Sequence, residues 1–111
     1  MEKNMEIKET ERNIQNAALE YLNALPHCFA WRQNSGLIGI ETKGKTRYFR
    51  AGIKGVSDIL GIYKGQFLAV EIKKKGAKPR QHQLDFIQRI NDLGGIAFWV
   101  DSIDEIMLKI K

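Results

Sequence analysis

Apolar residues alternate with polar or small ones on both sides of Lys64-Gly65 in the stretch GVSDILGIYKGQFLAVEIKKKG, the pattern of two strands joined by a tight turn. If the turn has two residues, Tyr63 faces Gln66, and counting back through Ile62/Phe67, Leu60/Ala69 and Ile59/Val70 brings Asp58 opposite Glu71. Opposed side chains share one face of a sheet, and the strand period of two puts Lys73 on that face as well. Upstream, Ile14, Ala17, Ala18, Tyr21, Leu22 and Leu25 carry helical spacing over residues 10–25, and Pro26 stops the helix. On that wheel Glu11 falls within about 60° of the apolar stripe and points toward the protein, whereas Glu20, about 120° away, points toward water.

Cys28 to Gln33 predicts a first strand. The Gly-rich, basic stretch that follows, through residue 55, shows no long period and predicts a loop or an irregular hairpin. After the central hairpin, Gly76 to Lys78 predict a turn and Pro79 the first position of a helix. Leu84, Phe86, Ile87, Ile90 and Leu93 form that helix's apolar face, and Gly94-Gly95 close it. Gln83 falls in the middle of the apolar face, where an amide needs a partner. Ile96 to Val100 predict a buried strand reached by a parallel crossover, and Ser102 with Glu105 predict a capping box for a last helix. The expectation is an α/β fold: a single three-layer domain over residues 1–111 with a mixed central β-sheet flanked by helices, in the order α-β-β-β-α-β-α. Residues 1–9 would form a frayed tail.

At 111 residues and 43% hydrophobic content the chain suits one compact unit with a core. Its one cysteine, Cys28, excludes an internal disulfide, and no apolar run reaches the length of a membrane span or a secretory signal. These features predict a cytoplasmic protein without membrane association. A net charge of +5 favours a polyanionic partner, and the basic residues crowd two segments, Lys43 to Lys54 and Lys73 to Arg80.

Glu11, Asp58, Glu71, Lys73 and Gln83 come from a helix, two paired strands and a second helix, each directed inward by its own periodicity. Opposed like charges weaken a hairpin unless something neutralises them, and a divalent cation would do so. Magnesium takes a couple of carboxylates, with waters and substrate phosphates completing its shell. Asp58 and Glu71 suit that role, with the Ile72 backbone carbonyl as a further ligand and Glu11 as a candidate first-helix carboxylate. Lys73 would orient or deprotonate a water, or stabilise developing charge, and Gln83 would hold Lys73 or the water.

These residues resemble the PD-(D/E)XK nuclease superfamily, with Ser57-Asp58 in place of Pro-Asp and Glu71-Ile72-Lys73 as the ExK element. The closer resemblance is to the VRR-NUC family and its small stand-alone members. Four stretches carry it: Trp31-Arg32-Gln33-Asn34-Ser35-Gly36, Gly52 to Gly61 with its G-x-x-D core, Val70 to Gly76, and Gln83 to Gly95. The chain departs from the family at Arg80, where a small hydroxyl residue is common. The resemblance implies a magnesium- or manganese-dependent endonuclease with ligands at Asp58 and Glu71, a catalytic Lys73, an assisting Gln83 and a first-helix glutamate at Glu11. It further implies a homodimer acting on branched DNA such as four-way junctions. A nuclease acting on flaps, nicks or mismatches, and a non-catalytic basic DNA-binding module, are the alternatives.

Lys43, Lys45, Arg47 and Arg50 are expected to grip the DNA backbone near the cleft, joined by Arg32, Lys54, Lys74 and Lys75, giving affinity without sequence readout. Gly39 to Thr46 match the phosphate-loop pattern G-x-x-x-x-G-K-[ST], but Arg-Tyr-Phe-Arg-Ala-Gly follows where that loop requires a helix, so no nucleotide cofactor is expected. His27 and His82 lack a second ligand at metal spacing and are expected at the surface. Trp31, Phe98 and Trp99 read as packing residues.

Overall fold

The computed structural model describes residues 10–33, 37–50 and 52–111, with the side chains of 37, 38, 49 and 50 left aside. The predicted tail over 1–9 lies outside the described residues. The chain runs α1 (Glu11–Ala24), β1 (Cys28–Arg32), β2 (Leu37–Thr42), β3 (Lys45–Arg50), β4 (Ile59–Tyr63), β5 (Gln66–Ile72), α2 (Gln81–Asp92), β6 (Ile96–Val100) and α3 (Ile103–Lys109). The four-stranded sheet has the order β1-β4-β5-β6, with β5 and β6 parallel and the other neighbours antiparallel, so the central sheet is mixed as expected.

Alternation along β5 divides the core into two layers. Leu68, Val70 and Ile72 pack with Ile14, Ala18 and Leu22 of α1 and with Ile106 of α3. Ala69, between them, turns to the other face and packs with Ile87 of α2 and Ala97 of β6. A strand buried on both faces needs an unbroken apolar run, and Leu68 to Val70 supply it. The helices thus lie on both sides of the sheet, in three layers. No described helix is long and apolar enough to cross a membrane.

The central hairpin adopts the predicted register, from Tyr63↔Gln66 to Ile59↔Val70. Its turn places both Lys64 (φ 48°) and Gly65 (φ 80°) in the left-handed region, the twist that suits a two-residue hairpin connection.

Two expectations need correction. The basic stretch is an ordered hairpin: β2 and β3 pair from Leu37↔Arg50 to Thr42↔Lys45 as a separate two-stranded sheet, so the order is α-β-β-β-β-β-α-β-α. The turn at Lys43-Gly44 repeats the left-handed Lys-Gly geometry of the central hairpin. Amides that a phosphate loop would aim at a ligand are here committed to a strand ladder. Pro79, the second, is not the first helical residue. Arg80 is the extended N-cap and Gln81 the first helical position, because the Gln83 side chain accepts from the Arg80 backbone N–H at 2.8 Å and sets the helix start there.

Candidate active site

Asp58 ends the loop that enters β4, and two hydrogen bonds fix it. Its Oδ2 accepts from the Ile72 backbone N–H at 2.8 Å, and its carbonyl accepts from Gln33 N–H at 2.7 Å. Upstream, Val56 N–H closes a turn on the Ile53 carbonyl, and Gly55 in that turn has φ +82°. A Cβ at Gly55 would lie 2.2 Å from the His82 carbonyl oxygen and 3.2 Å from the Gln83 nitrogen. The loop carrying Asp58 therefore rests, backbone on backbone, against the first turn of α2, which is possible only without a side chain.

Glu71 stands one pair beyond the last hairpin rung, on the α2 side of β5, with Trp99 beside it on β6. Its residue is 2% exposed. Gln83 Nε2 donates to its Oε1 at 2.9 Å, and Lys73 Nζ lies 3.8 Å from the same oxygen. Because the Gln83 oxygen is already engaged by Arg80 N–H, its amide nitrogen must face Glu71. The inward amide singled out by periodicity thus has two partners, a helix cap and a carboxylate.

Glu71 Oε2 is buried and has no hydrogen-bond partner among the described residues, and the same holds for Ser57 Oγ. Burial, and then the charge of Asp58, push the Glu71 carboxyl up to about 8. Burial raises Asp58 as well, against the lowering effect of the Ile72 amide. Two raised carboxyls side by side cannot both ionise without a neutralising cation. An orphaned buried carboxylate oxygen, a second carboxylate and the Ile72 carbonyl between Glu71 and Lys73 form an all-oxygen donor set that fits a hard divalent cation. Among the described residues, no group of three or more His, Cys, Asp or Glu side chains could hold a metal, so no third side-chain ligand joins these two carboxylates.

Glu11 approaches from the start of α1, near enough for its charge to act on Asp58, and its Oε1 accepts from Lys74 N–H at 3.2 Å. Glu20 is exposed, as its helical angle implied. The basic residues are dispersed. Lys43, Lys45 and Arg47 are exposed on the β2–β3 arm, and Lys54, Lys74 and Lys75 are exposed on loops flanking the site. The Arg50 side chain, and residues 34–36 of the first resembling stretch, lie outside the described residues. Arg32 turns to the opposite face of the sheet, where its Nε donates to Gln15 at 3.0 Å and its guanidinium also bonds Asn16 of α1. It is a strut between β1 and α1, away from Asp58. Trp31, expected to be packed, is 37% exposed on the site's face, because α2 covers β5 and β6 and leaves β1 open.

No protein-family model matches the chain, and no curated protein matches it significantly. Nine chains of solved structure do match. One is described as "VRR_NUC domain": at 24% identity and a TM-score of 0.61, the match covers 90% of this chain and 94% of that one. This chain, with a mixed sheet and three helices among its described residues, therefore has the fold of a VRR-NUC domain, the one its four sequence stretches resemble.

Proposed function

We propose that the chain is a magnesium- or manganese-dependent DNA endonuclease whose active site comprises Asp58, Glu71, Lys73 and Gln83. The observation that carries this reading is Glu71: buried, missing a donor at Oε2, and set among Asp58, Lys73 and Gln83. Structural ion pairs are satisfied, whereas acids forced together with raised pKa mark sites where a cation and a substrate complete the set. The fold supports a nuclease, and DNA is the polyanion that suits a net charge of +5.

Asp58, Glu71 and the Ile72 carbonyl would hold the cation. When bound, it would polarise a phosphoryl oxygen and lower the pKa of an attacking water. The chain's own groups do the remainder. Lys73 Nζ, 14% exposed and beside Glu71, aims its hydrogen bonds at the water or at charge developing on the phosphoryl oxygens. Gln83 prevents Glu71 from rotating, and the Ile72 amide does the same for Asp58. Glu11 reinforces the Lys74 backbone and adds negative charge at the rim. The arm residues Lys43, Lys45 and Arg47, with Lys54, Lys74 and Lys75, contact phosphates.

Branched DNA such as a four-way junction is the proposed substrate and a homodimer the proposed working unit, since a two-fold protein presents equivalent sites to equivalent strands. The test is incubation of labelled four-way junction, flap and blunt duplex with the purified chain, in magnesium, in manganese and then in chelator. Metal-dependent cleavage that disappears in Asp58→Ala and Lys73→Ala while binding persists supports the enzyme. Binding without cleavage in either metal would make it a DNA-binding module instead.

A further inference from the structure

The sheet face that carries Asp58 and Glu71 is only half covered. α2 packs over β5 and β6 through Ile87, Ala69 and Ala97, while α1 packs behind β1 against Ala30. Among the described residues, no element lies over β1 and β4 on the α2 side. Phe29 (65% exposed), Trp31 (37%) and Ile62 (49%) line this open floor, with Phe67 (39%) at its border. The Phe29 and Trp31 rings stand 5.6 Å apart, tilted by 47°.

The floor runs directly into the candidate active site. Trp31 pairs with Leu60, and Leu60 lies two residues from Asp58 on the same face, about 7 Å along the strand. That step is on the scale of one nucleotide. We propose that Phe29 and Trp31 form a stacking subsite for an unpaired nucleobase next to the phosphodiester held at Asp58 and Glu71. This identifies the substrate class as DNA with unpaired nucleotides beside the cut, as at an open branch point or flap, and it rests on the nuclease reading for the neighbouring phosphodiester.

Charge selects this occupant. A nucleic acid strand offers phosphates to the exposed Lys54, Lys74 and Lys75 on the loops flanking the site, and apolar ring faces to the floor. Bases within a duplex already stack on both sides. Only an unpaired base has a free ring face, and stacking on an aromatic side chain tolerates any of the four.

The subsite is tested by binding in chelator at low ionic strength, so that failure of the nuclease reading, judged separately by cleavage, does not affect the result. Fluorescence anisotropy of a labelled oligothymidine and of a blunt duplex is compared for wild type, Trp31→Ala, Phe29→Ala and Trp31→Phe. Trp31→Ala should weaken single-strand binding roughly tenfold or more, leave duplex binding unchanged, and be largely rescued by Trp31→Phe. In a Trp99→Phe background, the remaining indole emission should quench on single-strand binding. Phe29 is the more exposed ring, so Phe29→Ala keeps the test open should Trp31→Ala not fold. Equal loss for both ligands, unchanged affinity, or no single-strand binding by wild type overturns the proposal. So does a wild-type dimer that Trp31→Ala turns into a monomer without change in affinity, which would assign the face to a contact between copies.

Discussion

Replacing Glu71 by glutamine isolates the electrostatic cost of this site. Glu71 is 2% exposed, its Oε2 lacks a partner among the described residues, and burial with the charge of Asp58 pushes its carboxyl from an ordinary 4.5 up to about 8. A group whose folded pKa is raised favours the folded state only while it is protonated there. Below about pH 4.5 both states hold the proton and Glu71 contributes no pH dependence. Between about 4.5 and 8 the unfolded chain releases a proton that the folded chain retains, so stability falls as pH rises. At 1.36 kcal/mol per pH unit the full window sets a ceiling of about 5 kcal/mol, and relaxation of the buried pair with water entry brings the expected loss to about 2–3 kcal/mol. Glutamine has the same shape, can still accept from Gln83, and does not titrate. Urea denaturation in chelator at pH 5.5, 7.0 and 8.5 should therefore show wild type losing more stability with rising pH than Glu71→Gln, which exceeds it at pH 8.5. Magnesium should raise the stability of wild type at pH 8.5 more than that of the variant, because the proposed cation site loses one of its two carboxylates in Glu71→Gln. Parallel pH profiles, or a wild type that gains stability with pH in chelator, would refute the reasoning.

Gly55→Ala should keep the fold but lower stability by about 3 kcal/mol, from its left-handed backbone and the 2.2 Å approach to the His82 carbonyl, with cleavage falling further than the melting temperature explains. Lys73→Ala should cut the cleavage rate by about 10²–10⁴-fold with DNA affinity nearly unchanged in a filter-binding assay. Substituting Lys43, Lys45 and Arg47 together by alanine should weaken binding to every sequence alike. The slope of log affinity against log salt should become shallower by about 0.9 for each duplex phosphate that is no longer neutralised. Gln83→Ala should both loosen the start of α2, seen as faster amide exchange at Arg80, and reduce cleavage; a loss of only one would separate the cap from the carboxylate contact.

Much of this site was readable along the chain because it is built on local periodicity. The alternation around Lys64-Gly65 sufficed for the register that brings Asp58 and Glu71 together, since one slipped residue would have turned an apolar set to water. The helical wheel likewise placed Gln83 inward and separated Glu11 from Glu20. The β2–β3 arm was less legible, as its faces mix Ile40 with Arg47 and Gly39 with Tyr48 and no core imposes an alternation. Its one clear signal was the Lys-Gly pair that also turns the central hairpin.

Long-range placement decided the rest. Periodicity states that a residue faces inward or outward along its own element, but not which neighbour covers that face. Trp31 reads as core by composition and stands open because α2 sits over β5 and β6 instead of β1. Arg32 reads as a phosphate contact and is held by α1 on the far side of the sheet. The closeness of Gly55 to His82 joins residues separated by a whole hairpin, and only the packed loop reveals why a glycine is required there. Which acid loses its hydration, and hence which carboxyl is raised to about 8, follows from that same packing.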